Sequence, residues 1–313
     1  MTEERLRLLA RLAAERSELL AGLLGLDGKA LTEEPFLEGW TVKDALAHIA
    51  AWDRWEQRQM ARMVAGAAPE DVAVDAFNAA VVNAAAGRSL WEVVAELQDA
   101  RAAWLAWLRE LPDEVFFADR PSDDGDWAFP NCLEVQWQHD AEHAVQIAAW
   151  RQARGLASGV GPQCVLLAAL GAAREELLAA SALVPDQDRA SRPVCGVWTL
   201  KDVLGHQADW ERVGVEGLRS MARGEPLEIE HIADIEAWNR RHAEARRDQP
   251  WDAVWADLHE TREALVAILE GMDQTDLSRS YRFPWGPEGT PYQWVSVFVS
   301  HDREHAQGLR EVV

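Results

Sequence analysis

WTVKDALAHIAAWD (residues 40–53) and WTLKDVLGHQADWE (residues 198–211) are one phrase written twice. The copies start 158 residues apart (198 − 40), with Trp40/Trp198, Lys43/Lys201, Asp44/Asp202, His48/His206 and Trp52/Trp210 in register. Each opens as a helix does: a hydroxyl at Thr41 or Thr199, then Asp44 or Asp202 three residues on, predicts a capping box. That gives both aspartates a structural role. QWQHDAEHAVQI, around His139 and His143, returns as VFVSHDREHAQGL around His301 and His305. Between them, FNAAVVNAAAGRSLWEVVAEL resembles WNRRHAEARRDQPWDAVWADL. Repeats in a fixed order at near-constant separation define a tandem duplication.

Each half reads as helices. Leucines at three- and four-residue spacing in LRLLARLAAERSELLAGLL predict an amphipathic helix. A second helix starts after Thr41, a shorter one lies near 71–85, a long one near 90–110, and a fourth near 131–154. The second half repeats the plan. With little period-two alternation, this predicts an all-α chain of two four-helix bundles in series, residues 1–155 and 160–313. The small-residue stretch ARGLASGVGP (153–162) has linker character. FFADRPSDDGDWAFP (116–130) and SRSYRFPWGPEGTPY (278–292) read as long loops that rim each half in front of its last helix.

The charge balance, 31 Lys and Arg against 53 Asp and Glu for a net −22, repels phosphate backbones and anionic lipid. Nucleic acid and membrane surfaces are therefore not expected partners. No apolar run approaches the roughly 18 residues of a membrane span, and the charged N-terminus does not read as a signal peptide. Cys132, Cys164 and Cys195 are scattered and odd in number, which argues against disulfides and fits a cytoplasmic protein; buried packing is their expected role.

Six of the nine histidines fall in the repeated phrases. His139 and His143, like His301 and His305, stand four apart, so both rings leave one helix face a turn apart, a good separation for holding one metal ion. His48, flanked by Ala45, Leu46 and Ile49, should face the bundle interior. His48, His139 and His143 then make one three-imidazole site, and His206, His301 and His305 a second. Three imidazoles leave a tetrahedral ion one open position, where a thiol or water becomes acidic enough to act as a nucleophile. HDAEH and HDREH carry Asp where zincins carry the general-base Glu, so a metalloprotease mechanism has no support.

Glu142 and Glu304, three residues after the first histidine of each pair, either reach the pocket or are solvated. Trp52 and Trp210, four residues after His48 and His206, either pack the core, the favoured reading, or line the pocket. His231, His242 and His259 have no counterparts in the first half and are expected at the surface.

The W-T-x-K-D-x-L-x-H phrase, followed about ninety residues later by an HxxxH helix, resembles the DinB/YfiT-like superfamily of helical bundles. That superfamily includes DinB-like metal proteins, bacillithiol transferases, the metal-binding domain of mycothiol-dependent maleylpyruvate isomerase and the ClbS/DfsB group. The resemblance covers both halves. It implies an up-down-down-up four-helix bundle with a divalent ion, commonly zinc or nickel, on the triad named above. It further implies either metal-dependent transfer of a low-molecular-weight thiol, or hydrolysis, acting on a small electrophile in detoxification or self-protection. The alternative is a small-molecule binding or sequestration protein with a structural or vestigial metal site. Relatives often pair as homodimers, so a duplicated chain is expected to be a monomer whose two halves pair as a pseudo-dimer.

Overall fold

Helix caps written into the sequence set where four of the long helices begin. In the computed structural model, which describes residues 1–122, 125–126 and 128–312, the chain divides into two units, Met1–Gly159 and Val160–Val313. The first contains α1 (Glu3–Gly22), α2 (Gly28–Thr32), α3 (Val42–Val64), α4 (Val74–Ala85), α5 (Leu90–Glu110), α6 (Asp113–Phe116) and α7 (Phe129–Arg154). The second contains α8 (Gln163–Ser181), α9 (Leu200–Ala222), α10 (Ile235–Ala245), α11 (Trp251–Glu270), α12 (Gln274–Ser278) and α13 (Pro291–Val312).

The two predicted capping boxes are present. The Asp44 amide donates to Thr41 Oγ1 at 3.2 Å, and the Thr41 amide donates to the Asp44 carboxylate at 2.9 Å. Thr199 and Asp202 repeat this at 3.3 and 2.9 Å. A third box, Ser89 with Glu92, starts α5. Helix α7 stops at Gly155, whose φ of 62° is left-handed backbone that glycine adopts without a Cβ clash.

In the first unit α1 packs along α7 and α3 along α5, with α3 also meeting α7; in the second, α8 packs along α13 and α9 along α11, with α9 meeting α13. The periodic apolar residues supply the cores. Leu9 and Leu12 of α1 meet Met60 and Met63 of α3, Trp104 and Leu108 of α5, and Phe129 and Leu133 of α7. Leu177, Leu204, Leu258 and Leu309 join a core cluster built from α8, α9, α11 and α13. Burying a leucine of this kind contributes about 1.5–3 kcal/mol each, and four helices are needed to surround it.

The stretches read as loops need correction. Two-residue antiparallel strands pair there: β1 (Pro121–Ser122) with β2 (Gly125–Asp126), and in the second unit β5 (Tyr281–Arg282) with β6 (Glu288–Gly289). Residues 123, 124 and 127 of the first stretch lie outside the described residues. A further pair, β3 (Pro193–Cys195) with β4 (Trp198–Thr199), precedes α9. Strands this short leave no period-two pattern for a sequence to display. Among the described residues, no helix is long and apolar enough to cross a membrane.

Candidate metal centres

The repeated phrase places its side chains one by one. The Trp40 ring packs against His48 at 5.2 Å between centroids, and Trp198 against His206 at 4.8 Å. Lys43, itself buried, donates to the carbonyls of Ala85 and Arg88 at 3.1 and 2.8 Å, tying the end of α4 to α3. Lys201 does the same for Arg247 and Gln249 at 2.8 and 3.0 Å. The indole of Trp52 donates to Asn78 of α4 at 3.0 Å, and that of Trp210 to Asn239 of α10 at 3.0 Å. Trp40, Lys43 and Trp52, like their counterparts, thus hold either a neighbouring segment or the histidine in place.

The histidines converge. In the first unit His48 Nε2 stands 2.9 Å from His139 Nε2, and His143 Nε2 3.1 Å from His139 Nε2. In the second, His206 to His301 is 2.9 Å and His305 to His301 is 3.2 Å. In each unit the three donor atoms lie within 4.8 Å of one another.

The donor set fits a divalent ion. Zinc–imidazole bonds of about 2.0–2.1 Å in a tetrahedron put neighbouring nitrogens roughly 3.3 Å apart, close to the spacings found. Burial, and then the proximity of the other rings, pushes His48 down to about 3. The same two causes hold His139 at about 3 and His301 at about 4. Burial also lowers His143, His206 and His305, so all six rings are unprotonated near neutral pH, the form that ligates metal. The Nδ1 atoms of His48 and His143 are buried and unpartnered, which leaves Nε2 as the converging atom.

Beneath each triad lies a feature the sequence reading missed. Arg16 and Arg101 clamp Asp53 and Asp140 in a buried quartet: Arg16 to Asp53 is 2.9 Å, Arg101 to Asp53 2.8 Å, and each arginine to Asp140 3.0 Å. Arg174 and Arg262 clamp Glu211 and Asp302 in the second unit. Burial opposes ionisation of Asp53 and Asp302, but the paired arginines outweigh it and hold both carboxyls below the usual range. Asp140 and Asp302 directly follow His139 and His301, so the quartets fix the angle at which α7 and α13 present their histidines. The signal was in the register. Arg16 and Arg174, like His48 and His206, stand 158 apart, and Asp140 and Asp302, like His139 and His301, stand 162 apart.

In the second unit the triad borders a cavity of about 290 Å³ lined by His206, Trp210, Ile235, Asn239, Trp285, Val297, Phe298, Ser300, His301 and Glu304. Trp210 is half-buried and walls this cavity, while Trp52 is half-buried beside His48 and packs on Trp55 and Phe77. The indole N–H groups of Trp52 and Trp210 are satisfied by Asn78 and Asn239. Glu304 is exposed on the cavity wall; Glu142 is exposed and accepts from Gln146 at 3.2 Å. Two of the three histidines expected at the surface are half-buried. His242 stacks on Trp238 at 3.8 Å, and His259 meets Trp255 at 4.9 Å, because flat rings shed water against neighbouring indoles. His231 is exposed. The three cysteines are free; Cys132 and Cys164 are buried, but Cys195 is exposed where the β3–β4 turn carries it outward.

Two helical units of one plan, each gathering three imidazoles at the same register, define a duplicated helical-bundle class. The DinB superfamily model matches the chain twice, over residues 11–147 and 169–308, and the chain belongs to that superfamily. Neither the curated proteins nor the solved structures contain a match.

Proposed function

We propose that this protein is a divalent-metal-dependent enzyme that transfers a low-molecular-weight thiol to, or hydrolyses, a small electrophilic compound. The observation that carries the reading is the pair of unprotonated three-imidazole clusters, each with its Nε2 atoms turned to a common point. His48, His139 and His143 would hold one ion, and His206, His301 and His305 the other. An ion on three imidazoles supplies an open coordination position and acidifies a thiol or water placed there. The protein's own part is positional. Trp40 and Trp198 orient the first ligand, the arginine quartets fix the helix carrying the other two, and Trp210 walls one side of the second site.

A second reading, binding or sequestration without turnover, is favoured by one observation: the cavity beside His206 is mostly apolar, and its acidic group, Glu304, is exposed. Metal analysis of the purified chain tests the first reading. Two zinc or nickel ions per chain are expected, with one lost in His48→Ala and one in His206→Ala. A folded wild-type chain that takes up no ion would sink it. Turnover of a thiol with an electrophile by the loaded protein separates enzyme from binder.

A further inference from the structure

The seam between the helices that carry the ligands has diverged between the halves. From His48, helix α3 runs through Trp52, Glu56 and Gln59 on one face; from His139, α7 leads back through Gln136 to Cys132. Glu56, Gln59 and Gln136 are buried, and Glu56 Oε2, Gln59 Nε2 and Gln136 Oε1 have no hydrogen-bond partner. The same steps from His206 reach Trp210, Gly214 and Gly217, and those from His301 lead back to Phe298 and Trp294. A Cβ on Gly214 would stand 2.6 Å from the Phe298 ring, and one on Gly217 2.7 Å from Trp294. The glycines are what admit the rings. A polar seam in the first half is an aromatic one in the second.

Phe298 continues from that seam into the cavity wall, where Trp210 and Trp285 stand edge to face at 6.0 Å and 81°. Ile235 and Val297, 46% and 49% exposed, leave large apolar side chains in water at the same cavity. Trp210 uses the Asn239 carbonyl oxygen, so the amide NH₂ remains as a donor, while the Glu304 carboxylate disfavours anions. At about 290 Å³ the space falls just below the roughly 300–1,000 Å³ of small-molecule sites and suits a small ligand.

We propose that the second half binds a flat, uncharged ring compound in this cavity, and that the Phe298–Gly214 pair distinguishes it from the first half. The proposal rests on the metal reading only for the chemistry done to the compound; binding itself depends on the aromatic wall.

Calorimetric titration of the full chain with 2-acetylnaphthalene, before and after zinc loading, tests it. One saturable site per chain is expected. Trp285→Ala and Ile235→Asp should each weaken it at least about tenfold, the scale of a lost aromatic or apolar anchor. Ile235 is exposed, so its variant leaves folding intact. Val74→Asp, at the matching position of the first half, should change nothing, and 2-naphthoate should bind zinc-free protein at least about tenfold more weakly. The proposal is overturned by the absence of saturable binding, by indifference to both cavity variants, by equal loss in Val74→Asp, or by naphthoate binding equally well. Zinc that fails to load while the ketone still binds would end the metal reading alone. Zinc that loads at both sites without ketone binding would end this proposal alone.

Discussion

Glu56 shows how much one buried group can tell. It is 6% exposed, and burial pushes its carboxyl up to about 7; the nearby Asp53 adds to the rise and a hydrogen bond from Gln136 opposes it. A carboxyl raised in the folded state and ordinary in the unfolded one binds more protons when folded. Stability therefore falls as pH climbs from the unfolded value of 4.5 to about 7 and stays low above that. Glu56→Gln is expected to stabilise the protein by about 3 kcal/mol near pH 8 and hardly at all near pH 4, read from urea unfolding at both pH values. A pH-independent effect would contradict it. The sequence could not flag Glu56, because its isolation depends on which groups α7 brings opposite. The six repeated histidines were legible for the opposite reason: their spacing within helices and their recurrence at the same register are properties of the chain. The stacking of His242 on Trp238 is a contact within α10, yet it was missed because a lone histidine gives no period.

At the scale of elements, the helices were legible where caps and apolar periods coincide. Thr41 with Asp44, Thr199 with Asp202, and the leucines of α1 all place residues that the folded chain uses as read. What the pattern hides is how elements are locked together. Lys43 and Lys201 look like solvated helix charges but hold the end of α4 and the turn that follows α10. Arg16 and Arg101 look like surface arginines but meet Asp53 and Asp140 at the centre of four helices. Removing one partner from a buried quartet strands the rest, at a cost of about 3–5 kcal/mol. Asp53→Asn should lower unfolding free energy by that amount in a urea titration, while its exposed neighbour Arg54→Gln should cost less than about 1 kcal/mol. Equal effects would deny the quartet its role. The short strand pairs were illegible, since two residues carry no alternation.

Across the whole molecule, duplication put two copies of one histidine set on a single chain, and the copies then drifted apart in what surrounds them. If the pairing of relatives is internal here, the chain should sediment as a monomer of 35.0 kDa, and a species of twice that mass would contradict it. By itself the sequence determined that the chain is helical, that it is a tandem of one superfamily's unit, and which six histidines repeat. These follow from periods, caps and register, which are local and survive without any knowledge of partners. Only the tertiary structure decided that the imidazole nitrogens converge to about 3 Å, that arginine quartets lie beneath them, and that one seam is polar and the other aromatic. Each of these depends on pairs from different helices, such as His48 with His139, Arg16 with Asp53 and Gly214 with Phe298, where contact is set by how helix faces meet and burial by what they exclude.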